Sequence, residues 1–138
     1  MGMQASIDVT FQKRYSPKFV LKTLLTHGWS INYDNHVVFL LPSNKDDYDW
    51  QRISILNFNF ARFLAAHHEN DRIGITLVNE GVGGEVIINP DFLTISQTIN
   101  RVYVNDFKCI VNFSWYLNKI SSLFCLTNVS AIDCSLIY

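Results

Sequence analysis

Two hydrophobic periods alternate along the chain. Residues 5–11 switch between apolar and polar, with Ile7, Val9 and Phe11 on one face, as in a half-buried strand. Ser16 and Pro17 then read as an N-cap followed by proline at the first helical position. Val20, Leu21, Leu24 and Leu25 recur at helical spacing, and Gly28 closes the segment as a C′ residue. Residues 29–33 and 36–41 read as short strands around the turn dipeptide Asp34-Asn35. After a polar loop, Asp47 or Asp49 predicts the cap of a second helix running to about His68. Its stripe is Trp50, Ile53, Leu56, Phe60, Phe63 and Leu64.

Ile73, Ile75 and Leu77 return to period two. The glycine-rich stretch 79–84 predicts a hairpin turn, and 85–89 leads back. Pro90-Asp91 turns the chain again, and 92–98 and 100–104 are strand-like. Asn112 or Ser114 predicts the cap of a third helix reaching Phe124, with Tyr116, Leu117, Ile120 and Phe124 inward. Residues 129–138 end the chain as a strand with Ile132, Cys134 and Leu136 on one side. The order β-α-β-β-α-β-β-β-α-β, joined mostly by short turns, predicts an α+β fold. It is a mainly antiparallel sheet packed against about three helices, a single layer pair forming one domain over 1–138.

Composition narrows the function classes. The 138 residues are 49% hydrophobic and 17% charged, which excludes a disordered chain. Lys and Arg number 11 against 12 Asp and Glu, so binding of nucleic acid through bulk positive charge is not expected. No run of about 18 apolar residues predicts a membrane span. Cys109, Cys125 and Cys134 show no CxxC spacing and read as reduced, mostly buried thiols of a cytoplasmic protein. The start Met1-Gly2-Met3-Gln4-Ala5-Ser6 matches an N-myristoylation pattern, although an initiator remnant ahead of a second start at Met3 is the plainer reading.

Candidate chemistry is sparse. Gly81-Val82-Gly83-Gly84 links strand to strand and so lacks the helix N-terminus that a phosphate cradle needs. His67-His68-Glu69 lacks the i, i+4 spacing of a zinc pair. Histidines at a helix end interact instead with its dipole. The cysteines lie among apolar neighbours, where a thiol is inert. No catalytic residue, metal ligand or cofactor is assigned. Charge is more informative. Asp34, Asp46, Asp47 and Asp49 against Lys45 give residues 34–49 a charge of -3, in a chain whose net charge is only -1. A second acidic stretch, 69–91, contains Glu80 and Glu85. Acidic loops suit a basic protein partner, and Tyr48 beside Asp49 adds an aromatic anchor. Trp50 is assigned to the core.

Several features together suggest a family. Trp29 follows the first helix, and an Asp-rich loop precedes Trp50. Gly74-Ile75-Thr76-Leu77 is followed by Gly81-Val82-Gly83-Gly84, and Leu93-Thr94-Ile95-Ser96 by Asn100-Arg101. Phe113-Ser114-Trp115-Tyr116-Leu117 comes next. Over most of its length the chain resembles the small immunity proteins of bacterial polymorphic and contact-dependent growth inhibition toxin systems. The resemblance implies a non-catalytic protein that binds one cognate toxin domain and blocks it. Those toxins are often nucleases, and their inhibitors are commonly acidic, a pattern from which a net charge of -1 departs. The contacts expected from charge and loop placement are Asp46, Asp47, Tyr48, Asp49, Glu80 and Glu85, with no nucleic-acid or membrane partner. The alternative is a small enzyme or ligand-binding domain with a pocket between sheet and helices.

Overall fold

A computed structural model describes residues 2–43 and 47–138. Among these residues the elements are β1 (Gln4–Phe11), α1 (Pro17–Thr26), β2 (His36–Phe39), β3 (Gln51–Ser54), a 3-10 turn (Ile55–Asn57), α2 (Phe60–Ala65), β4 (Ile73–Asn79), β5 (Val82–Ile88), β6 (Phe92–Ser96), α3 (Phe113–Lys119), α4 (Ser121–Leu126) and β7 (Val129–Ile137). The strands form one open sheet in the order β3-β2-β4-β5-β6-β1-β7, and every neighbouring pair is antiparallel. The fold is α+β, as the pattern predicts.

Burial alternates along β1, so Ala5, Ile7, Val9 and Phe11 point into the core while Ser6, Asp8 and Thr10 point away. Direct cross-strand partners share a face. Leu93 and Ile95 of β6, Val86 and Ile88 of β5, and Ile73 and Ile75 of β4 therefore continue the core face. The helices cover this side with Val20, Leu21, Leu24, Phe63, Leu64, Tyr116, Ile120 and Leu123. Fully burying one such side chain contributes about 1.5–3 kcal/mol. The Trp29 indole donates from Nε1 to the Lys119 carbonyl at 3.0 Å, tying the end of α1 to the end of α3.

The β4–β5 hairpin turns on Glu80 and Gly81, both at positive φ (54° and 76°), the geometry of a two-residue turn of the primed type. Gly83 and Gly84 belong to β5 itself. A Cβ on Gly83 would strike the Leu77 carbonyl and one on Gly84 the Ser96 carbonyl, so glycine here permits close strand approach.

The largest departure from expectation is the second helix. Residues 51–54 form β3 against β2, pairing Gln51 with Phe39 and Ile53 with Val37. Leu56, placed on the helical stripe, is 90% exposed, and α2 starts only at Phe60, where the Asn59 side chain accepts from the Arg62 N–H at 3.0 Å. The run fits period two as well as 3.6, and pairing with β2 decides between them. Trp50 accordingly lies outside the core cluster.

Four smaller departures from the sequence pattern are present. Residues 29–33 make only isolated bridges, from Ser30 to Val78 and from Tyr33 to His36. Residues 100–104 contribute one bridge, Tyr103 to Val111. The third helix breaks at Ile120 (φ -105°, ψ 11°) into α3 and α4. The three cysteines are exposed, contrary to the burial expected of them. Cys134 sits on the edge strand β7, and Cys125 lies on the side of α4 away from the buried Leu123 and Thr127. No helix among the described residues is long and apolar enough to cross a membrane.

Candidate functional site

The face of the sheet opposite the helices is covered at one end and open at the other. Over β4, Leu40 fills the space above Gly74, where a Cβ would collide with it. Over β5, β6, β1 and β7 the outward side chains are half-buried or exposed. The register arranges them in rows. Ile87 stands opposite Thr94, Thr94 opposite Asp8, and Asp8 opposite Asp133. Ser96, Ser6 and Ser135 form the next row, and Phe92, Thr10 and Ala131 a third. None of these positions carries a basic residue.

Asp8 and Asp133 are the focus of this face. Directly opposed residues in an antiparallel pair have Cβ atoms roughly 4.5–5.5 Å apart, and like charges there are destabilising. Thr94 donates from Oγ1 to Oδ1 of Asp8 at 2.6 Å, which fixes the Asp8 side chain, and among the described residues no hydrogen bond reaches its second oxygen. Neither Asp8 nor Asp133 has a Lys, Arg or His within ion-pair distance among the described residues. The pair thus offers two acidic groups on a rigid, shallow surface, suited to a guanidinium or ammonium group from outside.

A groove of about 260 Å³ borders this face, lined by Tyr48, Trp50, Glu85, Ile87, Asn89, Phe92, Thr94 and Ser96. Tyr48 is 64% exposed and lies under the Arg72 guanidinium, 5.2 Å from the ring centroid. Arg72 also donates to the Asp47 carbonyl at 3.4 Å. Asp47 and Asp49 are exposed at the margin.

Of the contacts expected from sequence, Tyr48 and Glu85 therefore meet in one groove, with Asp47 and Asp49 beside it. Asp46 lies outside the described residues. Glu80 stands apart, at the hairpin turn, with its carboxylate 3.4 Å from the Lys119 ammonium. It lines a separate polar pocket of about 430 Å³ between the sheet end and the helices, with His27, Gly28, Asn79, Asn118, Lys119, Ser121 and Ser122. The His27 ring donates from Nδ1 to the Thr23 carbonyl at 2.7 Å. No cluster of three or more His, Cys, Asp or Glu able to hold a metal occurs among the described residues.

Sequence reasoning missed Asp8, Thr94 and Asp133. Asp8 and Thr94 were readable as polar positions of alternating strands. Their meeting with Asp133 depends on β1 lying between β6 and β7, which no local pattern encodes.

The chain matches no protein-family model, no curated protein and no solved structure.

Proposed function

We propose that the protein is an immunity protein, a non-catalytic cytoplasmic inhibitor that seats the open face of its sheet on the basic surface of a cognate bacterial toxin domain. The Asp8–Asp133 pair carries this reading. Two carboxylates at directly opposed strand positions, with no countercharge among the described residues, leave acid on this face for a cation brought by a partner. Acid on a face whose strands are already ordered also lowers the entropy lost on binding and speeds encounter with a basic surface. Tyr48 and Phe92, in the groove that borders this face, supply the apolar anchors that acidic rims alone lack. The resemblance to toxin-system immunity proteins fits such a surface, and a nuclease is the toxin class whose basic, phosphate-binding cleft it would match.

The test is co-purification with the toxin candidate encoded beside this protein, using the wild type and the Asp8→Asn/Asp133→Asn double variant. Wild type should form a stable complex and suppress toxicity, and the double variant should bind at least about tenfold more weakly, since charged hydrogen bonds contribute roughly 1.5–3 kcal/mol each. A complex indifferent to both substitutions would move the interface off this face. Absence of any complex would sink the immunity reading. The second reading, a ligand-binding domain, would then stand on the polar pocket beside Glu80.

A further inference from the structure

The open sheet ends in two edges built differently. β3 is four residues long, carries Arg52, and passes straight into a 3-10 turn, which are ordinary protections against edge pairing. β7 is nine residues long, contains neither Pro, Lys nor Arg, and has Asp133 as its single charge. Among the described residues it pairs with β1 alone. Every second N–H and C=O along its outer side is therefore unmatched by another strand. Its side chains are bare as well, with Ile132 40% and Ile137 58% exposed.

We propose that β7 pairs with β7 of a second copy of this chain, antiparallel about a two-fold axis normal to the sheet, joining the two sheets into one. An antiparallel edge is its own complement under such an axis, so no other partner is required. The axis keeps each face on its own side, so the central position must be a residue opposite itself. Centring on Asp133 sets the charge against its copy. Centring on Cys134 instead places Ile132 opposite Leu136, Ala131 opposite Ile137 and Asp133 opposite Ser135. The apolar residues then match and no like charges meet. A net charge of -1 per chain adds little repulsion between copies. The pairing also sets the acidic rows of the two chains side by side on one continuous face.

Sedimentation equilibrium over a concentration series tests the state, and position 135 tests the register. Wild type should dimerise. Ser135→Asp places two new like-charge pairs across the axis, and Ser135→Lys places two opposite-charge pairs there. The first should raise the dimer dissociation constant and the second lower it, each by roughly three- to tenfold. Thermal melts by circular dichroism check that both variants fold. A second measurement leaves the interface unaltered. In a Cys109→Ser/Cys125→Ser background, diamide should oxidise two Cys134 thiols to an intermolecular disulfide, because opposed Cα atoms at about 4.5–5.5 Å lie within disulfide reach. Partial burial and the adjacent Asp133 hold this thiol above its ordinary range, so the oxidation belongs at alkaline pH. A monomer at every concentration overturns the dimer. Variants that shift the equilibrium in the same direction, or a missing Cys134 cross-link, overturn this register. None of these outcomes bears on toxin binding.

Discussion

His67 shows what a single buried side chain does to the chain's response to pH. It is 3% exposed, its ring packs edge-on against Phe63 at 4.7 Å, and its Nδ1–H donates to the Phe63 carbonyl at 2.8 Å. Its Nε2 has no hydrogen-bond partner among the described residues. Burial is the largest influence and lowers its pKa from 6.5. The Phe63 carbonyl and Asp71 oppose the shift, and Lys18 adds to it. The unfolded chain therefore takes up the proton first. The stabilisation is complete above 6.5 and is lost as pH falls from there toward the folded value. Unfolding free energy from urea titrations should decline through this window by at most about 1.4 kcal/mol per pH unit. His67→Gln, which stays neutral, should remove that share of the slope. An unchanged slope would assign the acid sensitivity to other groups.

At the scale of elements, short helices depend on their caps. α3 has seven residues, and the Asn112 side chain accepts from the Trp115 N–H at 3.3 Å. Asn112→Ala should cost about 1 kcal/mol, read as a lower urea midpoint at constant slope. Ser114→Ala, the other cap that the sequence suggests, lies inside the helix and exposed, and should change little. The same contrast explains which elements were legible. β1, α1 and the β4–β5 hairpin declare themselves through a few contiguous residues: an alternation, a Ser-Pro start, a Glu-Gly turn. Residues 50–64 satisfy two periods at once, and the caps that divide them, Ser54 accepting from the Leu56 N–H and Asn59 from the Arg62 N–H, look like ordinary polar positions of a helix. The site divides in the same way. Tyr48, Asp47, Asp49 and Glu85 were readable as acid and aromatic near turns. The Asp8–Asp133 pairing in register joins opposite ends of the chain, and only the order of strands makes it.

For the whole molecule, the near-zero net charge conceals two unlike sides. Lys18 and Lys22 ride on α1, on the side of the sheet that the helices cover. Asp8, Asp133 and Glu85 occupy the opposite side, with Asp47, Asp49 and the Arg72 guanidinium at its margin. Fields from exposed groups decay within about 8 Å at physiological ionic strength, so an approaching protein senses the side it meets rather than the sum. A surface kept acidic for a partner should be poorer for stability than one with its charges balanced, and Asp133→Lys separates the two demands. It sets a cation directly opposite Asp8, replacing a repulsive cross-strand pair by an attractive one that contributes about 0.2–1 kcal/mol. The melting temperature should rise by a few degrees. Binding to a basic partner should weaken, and the steep fall of its association rate with added salt should flatten. A variant that is more stable and binds less well is the signature of charge retained for recognition. If Asp133→Lys instead lowers the melting temperature, Asp8 and Asp133 do not repel each other in the folded chain, and the face holds no unmet charge for a partner to satisfy.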